Sequence, residues 1–185
     1  MDTLLRYGIS GYWRQGQAQP PSTNFDKFQK TCHSVMSQYG GEVLEIRGIY
    51  KMGAGNYHLA YLKQKYVADR AILLYLNIHY PFLAVRTAPL DERSGKILQP
   101  SNAWQNASQV VKQTDVVFRF GLIYSFLEPE ELEEPLEFRH INGGRQLQLV
   151  NKHEMSKMEV EIIYRWQRLS SIPLTVGDVI FNRWD

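Results

Sequence analysis

Phe25, Phe28, Cys32, Val35, Met36 and Tyr39 recur at intervals of three and four, the spacing of one helical face. Asn24 stands just ahead of them. Its side-chain oxygen can accept from the free N–H groups of a first turn. Asp26 suits the positive end of the helix dipole, and Gly40-Gly41 ends the run. The chain therefore predicts a helix from just after Asn24 to Gly40. Cys32 falls on its apolar face, which makes it a small core residue and not a nucleophile.

Beyond Gly41 the period changes. Val43 to Tyr50 reads as a strand, Met52 to Asn56 as a turn, and Tyr57 to Lys65 as the second arm of a hairpin. Ala71 to Tyr80 is a nearly continuous apolar run whose length and flanks predict a central strand. Pro81 and Pro89 bracket a further segment, Phe82 to Thr87, and Asp91 to Gly95 reads as a polar loop. Asn102 to Gln113 predicts a second, weaker helix with Trp104, Ala107 or Ser108, and Val111 on one face. Val116, Phe118, Phe120, Leu122, Tyr124 and Phe126 alternate with polar or small neighbours, which predicts a long half-buried strand over Asp115 to Leu127.

Gly143-Gly144 separates the alternating segments Leu136–Asn142 and Arg145–Asn151, a strong hairpin signal. Met158, Val160, Ile162, Tyr164 and Trp166 alternate with charged and polar residues and predict another long strand. Leu174 to Phe181 predicts a last short hairpin or strand. The sum is an α+β fold: a mostly antiparallel sheet of about six to eight strands with two helices packed on it. The 185 residues suit a single domain over 23–185, preceded by an irregular arm over 1–22.

The arm holds Gly8, Gly11, Gly16, Pro20 and Pro21, yet also Leu4, Leu5, Tyr7, Ile9, Tyr12 and Trp13. Six large apolar groups in a broken stretch either pack on their own domain or dock on a partner. Charge adds a second feature. The formal net charge is +2, but residues 127–138 hold Glu128, Glu130, Glu131, Glu133, Glu134 and Glu137 with no base. A basic body therefore carries one acidic patch. That patch is either a solvated turn or the complement of a basic surface on another copy or another protein.

Motifs for catalysis are absent. There is no phosphate-binding glycine loop, no Gly-x-Ser-x-Gly elbow and no helical His pair. A single Cys excludes an intramolecular disulfide and multi-Cys zinc sites. No cofactor and no metal are expected, and an enzyme is the less favoured class. One polar cluster, His79, Arg86, Asp91, Glu92 and Arg93, offers an alternative ligand cleft in which Arg86 holds a carboxylate or phosphate. Arg14, Arg165, Arg168, Arg183 and Trp184 offer a nucleic-acid alternative, since bases and aromatics interleave there. No secretory leader is visible in residues 1–20. The most apolar stretch falls short of the roughly 18 residues a membrane span needs. The expected location is the cytoplasm, or a virion if the source is viral, with no membrane partner.

The favoured expectation is a non-enzymatic structural protein: a subunit of a homo-oligomer or larger assembly (ring, tube or virion-like) with the arm as a docking clasp. Nucleic-acid binding comes second, and a small enzyme or ligand-binding domain around His79 and Arg86 third.

Overall fold

The computed structural model describes residues 3–13, 16–48, 55–67, 69–91, 93–111 and 114–182. The class is α+β. Helix α1 spans Phe25–Gln38, and the Asn24 side chain accepts from Lys27 N at its start. Four strands follow as an antiparallel meander: β1 Glu42–Arg47, β2 Tyr57–Lys63, β3 Arg70–Asn77 and β4 Phe82–Pro89. Two helices, α2 Ala107–Val110 and α3 Thr114–Gly121, then lead to β5, Ser125–Phe126. This short strand adds parallel to β4 and completes a sheet of order β1-β2-β3-β4-β5. Helix α4 (Pro129–Leu132), the hairpin β6 (Phe138–Ile141) and β7 (Gln146–Leu149), α5 (Lys157–Leu169) and α6 (Val176–Ile180) follow.

The sheet is covered on both faces, which is why its inner strands read as continuous apolar runs. On one face Ala60, Leu62, Ile72, Leu74, Leu76, Leu83 and Val85 pack against Phe28, Cys32 and Met36 of α1 and Val116 and Phe120 of α3. On the other, Leu59, Tyr61, Leu73, Tyr75 and Ala84 pack against Val160 and Ile163 of α5, Val179 and Ile180 of α6, and Leu5 and Ile9.

Three predicted strands are replaced by helices. Asp115–Leu127 contains α3 and only a two-residue strand, Met158–Trp166 lies in α5, and Leu174–Phe181 contains α6. The sheets are correspondingly smaller, five strands and two, and six helices are present among the described residues instead of two. Alternation misleads here because it hides a helical set. Val116, Phe120 and Tyr124 are spaced by four and are buried, as is Leu127 at the end of the first stretch. Val160 and Ile163 are spaced by three and are the buried apolar members of the second. Both later helices also carry capping boxes. The Ser156 hydroxyl accepts from Glu159 N while the Glu159 carboxylate accepts from Ser156 N, and Thr175 and Asp178 repeat the arrangement.

The β6–β7 hairpin forms as predicted, with Asn142, Gly143 and Gly144 all at positive φ. At Gly177 of α6 an added Cβ would lie 2.7 Å from Trp104 Nε1 and 2.9 Å from the Leu132 carbonyl. Close approach of α6 to α4 therefore depends on that glycine.

Candidate functional site

Segment 3–12 is built into the second face of the sheet. Leu5 and Ile9 are 1% and 0% exposed. The Gly8 N–H and the Ser10 hydroxyl both donate to Glu159 Oε1 at 2.9 Å, and Glu154 N donates to the Leu5 carbonyl at 2.8 Å. Three asparagines complete the joint. Asn56 Nδ2 donates to the carbonyls of Ile9 (2.8 Å) and Val179 (3.0 Å). Asn77 Nδ2 donates to those of Ile9 and Ile180, and Asn182 Nδ2 to those of Ser10 and Val179. Tyr80 Oη also donates to the Tyr7 carbonyl. Leu4, Tyr7 and Tyr12 are half-buried, while Trp13 is exposed and stands edge-on to His79 at 5.4 Å. Of the six predicted arm residues, Leu5 and Ile9 thus pack on their own domain and Trp13 is the most open to a partner.

Surface chemistry concentrates on the opposite face. Helix α3 turns Val116 and Phe120 inward and leaves Phe118 and Leu122 each 62% exposed, with Ile123 beside them. The strand reading placed Phe118 and Leu122 on the same side as Val116 and Phe120; a helix separates them. A groove of about 670 Å³ runs between this end of α3 and α1, lined by Lys27, Lys30, Val35, Arg119, Leu122 and Ile123. Three bases there face one carboxylate, Asp26, and Lys27, Lys30 and Arg119 form no ion pair among the described residues. The sequence reading missed this site. The available signal was the four-residue spacing of Phe118 and Leu122, with Arg119 between them.

The acidic patch surrounds α4. Leu132, fully buried, pins the helix to the core, and Glu128 and Glu131 cap its start. Glu128 also accepts from Asn106 Nδ2, and Glu134 from Asn151 Nδ2. The carboxylates of Glu130, Glu133 and Glu137 are exposed and make no hydrogen bond or ion pair with the described residues.

The alternative cleft residues are spread along β4. His79 lies in the turn before the strand and Asp91 and Arg93 in the loop after it, eight strand residues away. That is roughly 25 Å at about 3.3 Å per residue. His79 Nδ1 is 3.0 Å from the Pro21 carbonyl, and burial pulls its pKa down, so the ring is neutral with Nδ1 as donor. Asp91 accepts from Ser94 N and Oγ, which holds its carboxyl below the ordinary value. Arg86 sits alone of the group at mid-strand, with its guanidinium carbon 3.8 Å from the Trp104 ring centroid. Glu92 lies outside the described residues.

Of the nucleic-acid set, Arg165 and Arg168 are exposed on α5, and Arg14, Arg183 and Trp184 lie outside the described residues. Cys32 is buried, and burial pushes its thiol up to about 12, which leaves it unreactive at neutral pH. Among the described residues no helix is long and apolar enough to cross a membrane. Compared with known proteins, the chain gives no significant match to any family, curated protein or solved structure.

Proposed function

We propose that the protein is a non-enzymatic assembly protein whose copies join head to tail, the acidic corner around α4 of one entering the basic, apolar-edged groove between α1 and α3 of the next. The observation that carries this reading is the groove itself, where Leu122 and Ile123 stand exposed beside three bases that form no ion pair among the described residues. Exposed apolar groups rimmed by charge mark interaction sites. Complementary charge sets the register of the contact and excludes wrong partners.

A second copy fits because the same chain carries both members. Helix α4 packs through Leu132 into the core on one face of the sheet, whereas α1 and α3 cover the other. The two surfaces therefore cannot meet within one molecule. A contact between unlike surfaces repeats from copy to copy and gives rings if it closes or filaments if it does not.

The test is light scattering on a sizing column. Wild type should run at a multiple of 21.6 kDa. The variant Lys27→Glu/Lys30→Glu and the variant Glu130→Lys/Glu133→Lys should each run as monomers, and an equimolar mixture should assemble again. A wild-type chain that stays monomeric up to about 0.1 mM would overturn the proposal. So would assembly indifferent to both variants. Nucleic acid co-eluting at low salt and leaving at high salt would replace it with the nucleic-acid reading.

A further inference from the structure

We infer that the groove over Arg86, on the α5–α6 side of the sheet, binds a small organic anion with a flat apolar body. Arg86 enters this face from the middle of β4, among Tyr75, Ala84 and Ala88. Its guanidinium lies over two rings, 3.8 Å from the Trp104 centroid and 5.5 Å from that of Tyr75. Aromatic contact of this kind fixes the plane of the cation in advance. The charge has no counter-charge: Arg86 makes no ion pair among the described residues. Tyr75 cannot supply one, since burial pushes its phenol up to about 12 against the pull of Arg86. Asp178 borders the same groove, but its carboxylate accepts from Thr175 N (2.8 Å) and Thr175 Oγ1 (3.0 Å) to cap α6.

A half-buried cation without a counter-charge is costly to desolvate. A ligand that brings a carboxylate or phosphate to it removes that cost. The space is suitable. The groove is about 510 Å³ and is lined by Tyr57, Arg86, Trp166, Leu174, Phe181 and Asn182. That volume is in the range of small-molecule sites, and three aromatic walls suit a flat apolar body. Two polar atoms here lack a hydrogen-bond partner, Arg86 Nε and the Oδ1 of Asn182, a residue 6% exposed. They are two of six such buried atoms among the described residues, and these two belong to one lining. This site is on the opposite side of the sheet from the α1–α3 groove, and the inference does not depend on assembly.

The experiment is calorimetric titration of the full chain with 1-naphthoate, 1-naphthyl phosphate and 1-naphthylmethylamine. Both anions should bind more tightly than the amine, and the tighter of the two identifies the head group. Arg86→Gln keeps a planar polar side chain over Trp104 and should weaken the anions by roughly tenfold to a hundredfold, the loss of a charge-assisted contact. Ser170→Trp, at the exposed rim, should block both anions without disturbing the core; its folding is checked by circular dichroism. Equal binding of amine and anions, undiminished binding to either variant, or no binding at roughly millimolar anion would each overturn the inference.

Discussion

Glu159 is fully buried, yet it holds four hydrogen bonds, two from Ser156 and one each from Gly8 and Ser10. Burial raises its pKa above the ordinary 4.5 and outweighs those donors. The folded state thus takes up a proton more readily than the unfolded one. The contribution is full below 4.5 and is lost as pH rises through the folded pKa. His58 acts in the opposite sense. It is buried with its ring 4.6 Å from that of Phe25, and burial lowers its pKa from 6.5 to about 4. Its contribution is full above 6.5 and is lost as pH falls toward about 4. We expect the His58 ring protons to show no titration between pH 7 and about pH 5 in NMR spectra. A midpoint near 6.5 would mean the ring is hydrated. In Glu159→Gln the opposing slope disappears, so stability from urea unfolding should rise more steeply with pH above 4.5 than in wild type. Asn77 belongs to the same scale. Both its amide donors and its oxygen are engaged, the oxygen by His79 N and Tyr80 N. Asn77→Ala should cost about 2–4 kcal/mol, because it leaves buried backbone groups unpaired.

Elements differ in how plainly the chain announces them. α1 is readable because cap, periodicity and glycine stop agree. The β2–β4 meander is readable because both faces of its strands are buried, and the β6–β7 turn because it needs consecutive residues at positive φ. α3 and α5 are not, since their side chains alternate as well as recur at three and four; only tertiary packing decides between the two periods. At α5 the deciding local signal was Ser156 with Glu159 three residues on, and it was outweighed by the alternation. The same misreading hid the candidate site. Phe118 and Leu122 look like core in a strand and become surface in a helix. Arg86 could be singled out from its strand context, but Trp104 beneath it and Phe181 in the same groove are distant in sequence and no local pattern joins them. If the α5 box matters as its geometry indicates, Ser156→Ala should lower stability by about 1 kcal/mol, and Ser156→Asp should retain most of it. Equal losses in the two variants would show that the hydroxyl packs rather than caps.

At the scale of the whole molecule, segment 3–12 is the lid of the second core. It contributes Leu5 and Ile9 to the apolar layer and joins α5, α6 and the β2–β3 end through Glu159 and the three asparagines. Deleting residues 1–22 is therefore expected to abolish cooperative unfolding and to expose apolar surface to a dye such as anilinonaphthalene sulfonate. Retention of a wild-type melting transition would restore the arm to a role outside the monomer. Lys27, Lys30, Glu130 and Glu133 are exposed and form no part of this joint, so substitutions at them should leave melting unchanged within about 0.5 kcal/mol.

The joint also has a consequence for synthesis. Residues 5–10 find most of their partners at 153–182, so this segment is fully docked only after that later one has left the ribosome. Until then the nascent sheet is sealed by α1 and α3 on one side and shows Leu59, Tyr61, Leu73 and Tyr75 bare on the other. Such a chain is most prone to aggregate before residues 153–182 have emerged. A premature stop before residues 153–182 are made would release a species with this face of the sheet uncovered, the kind of client that chaperones capture.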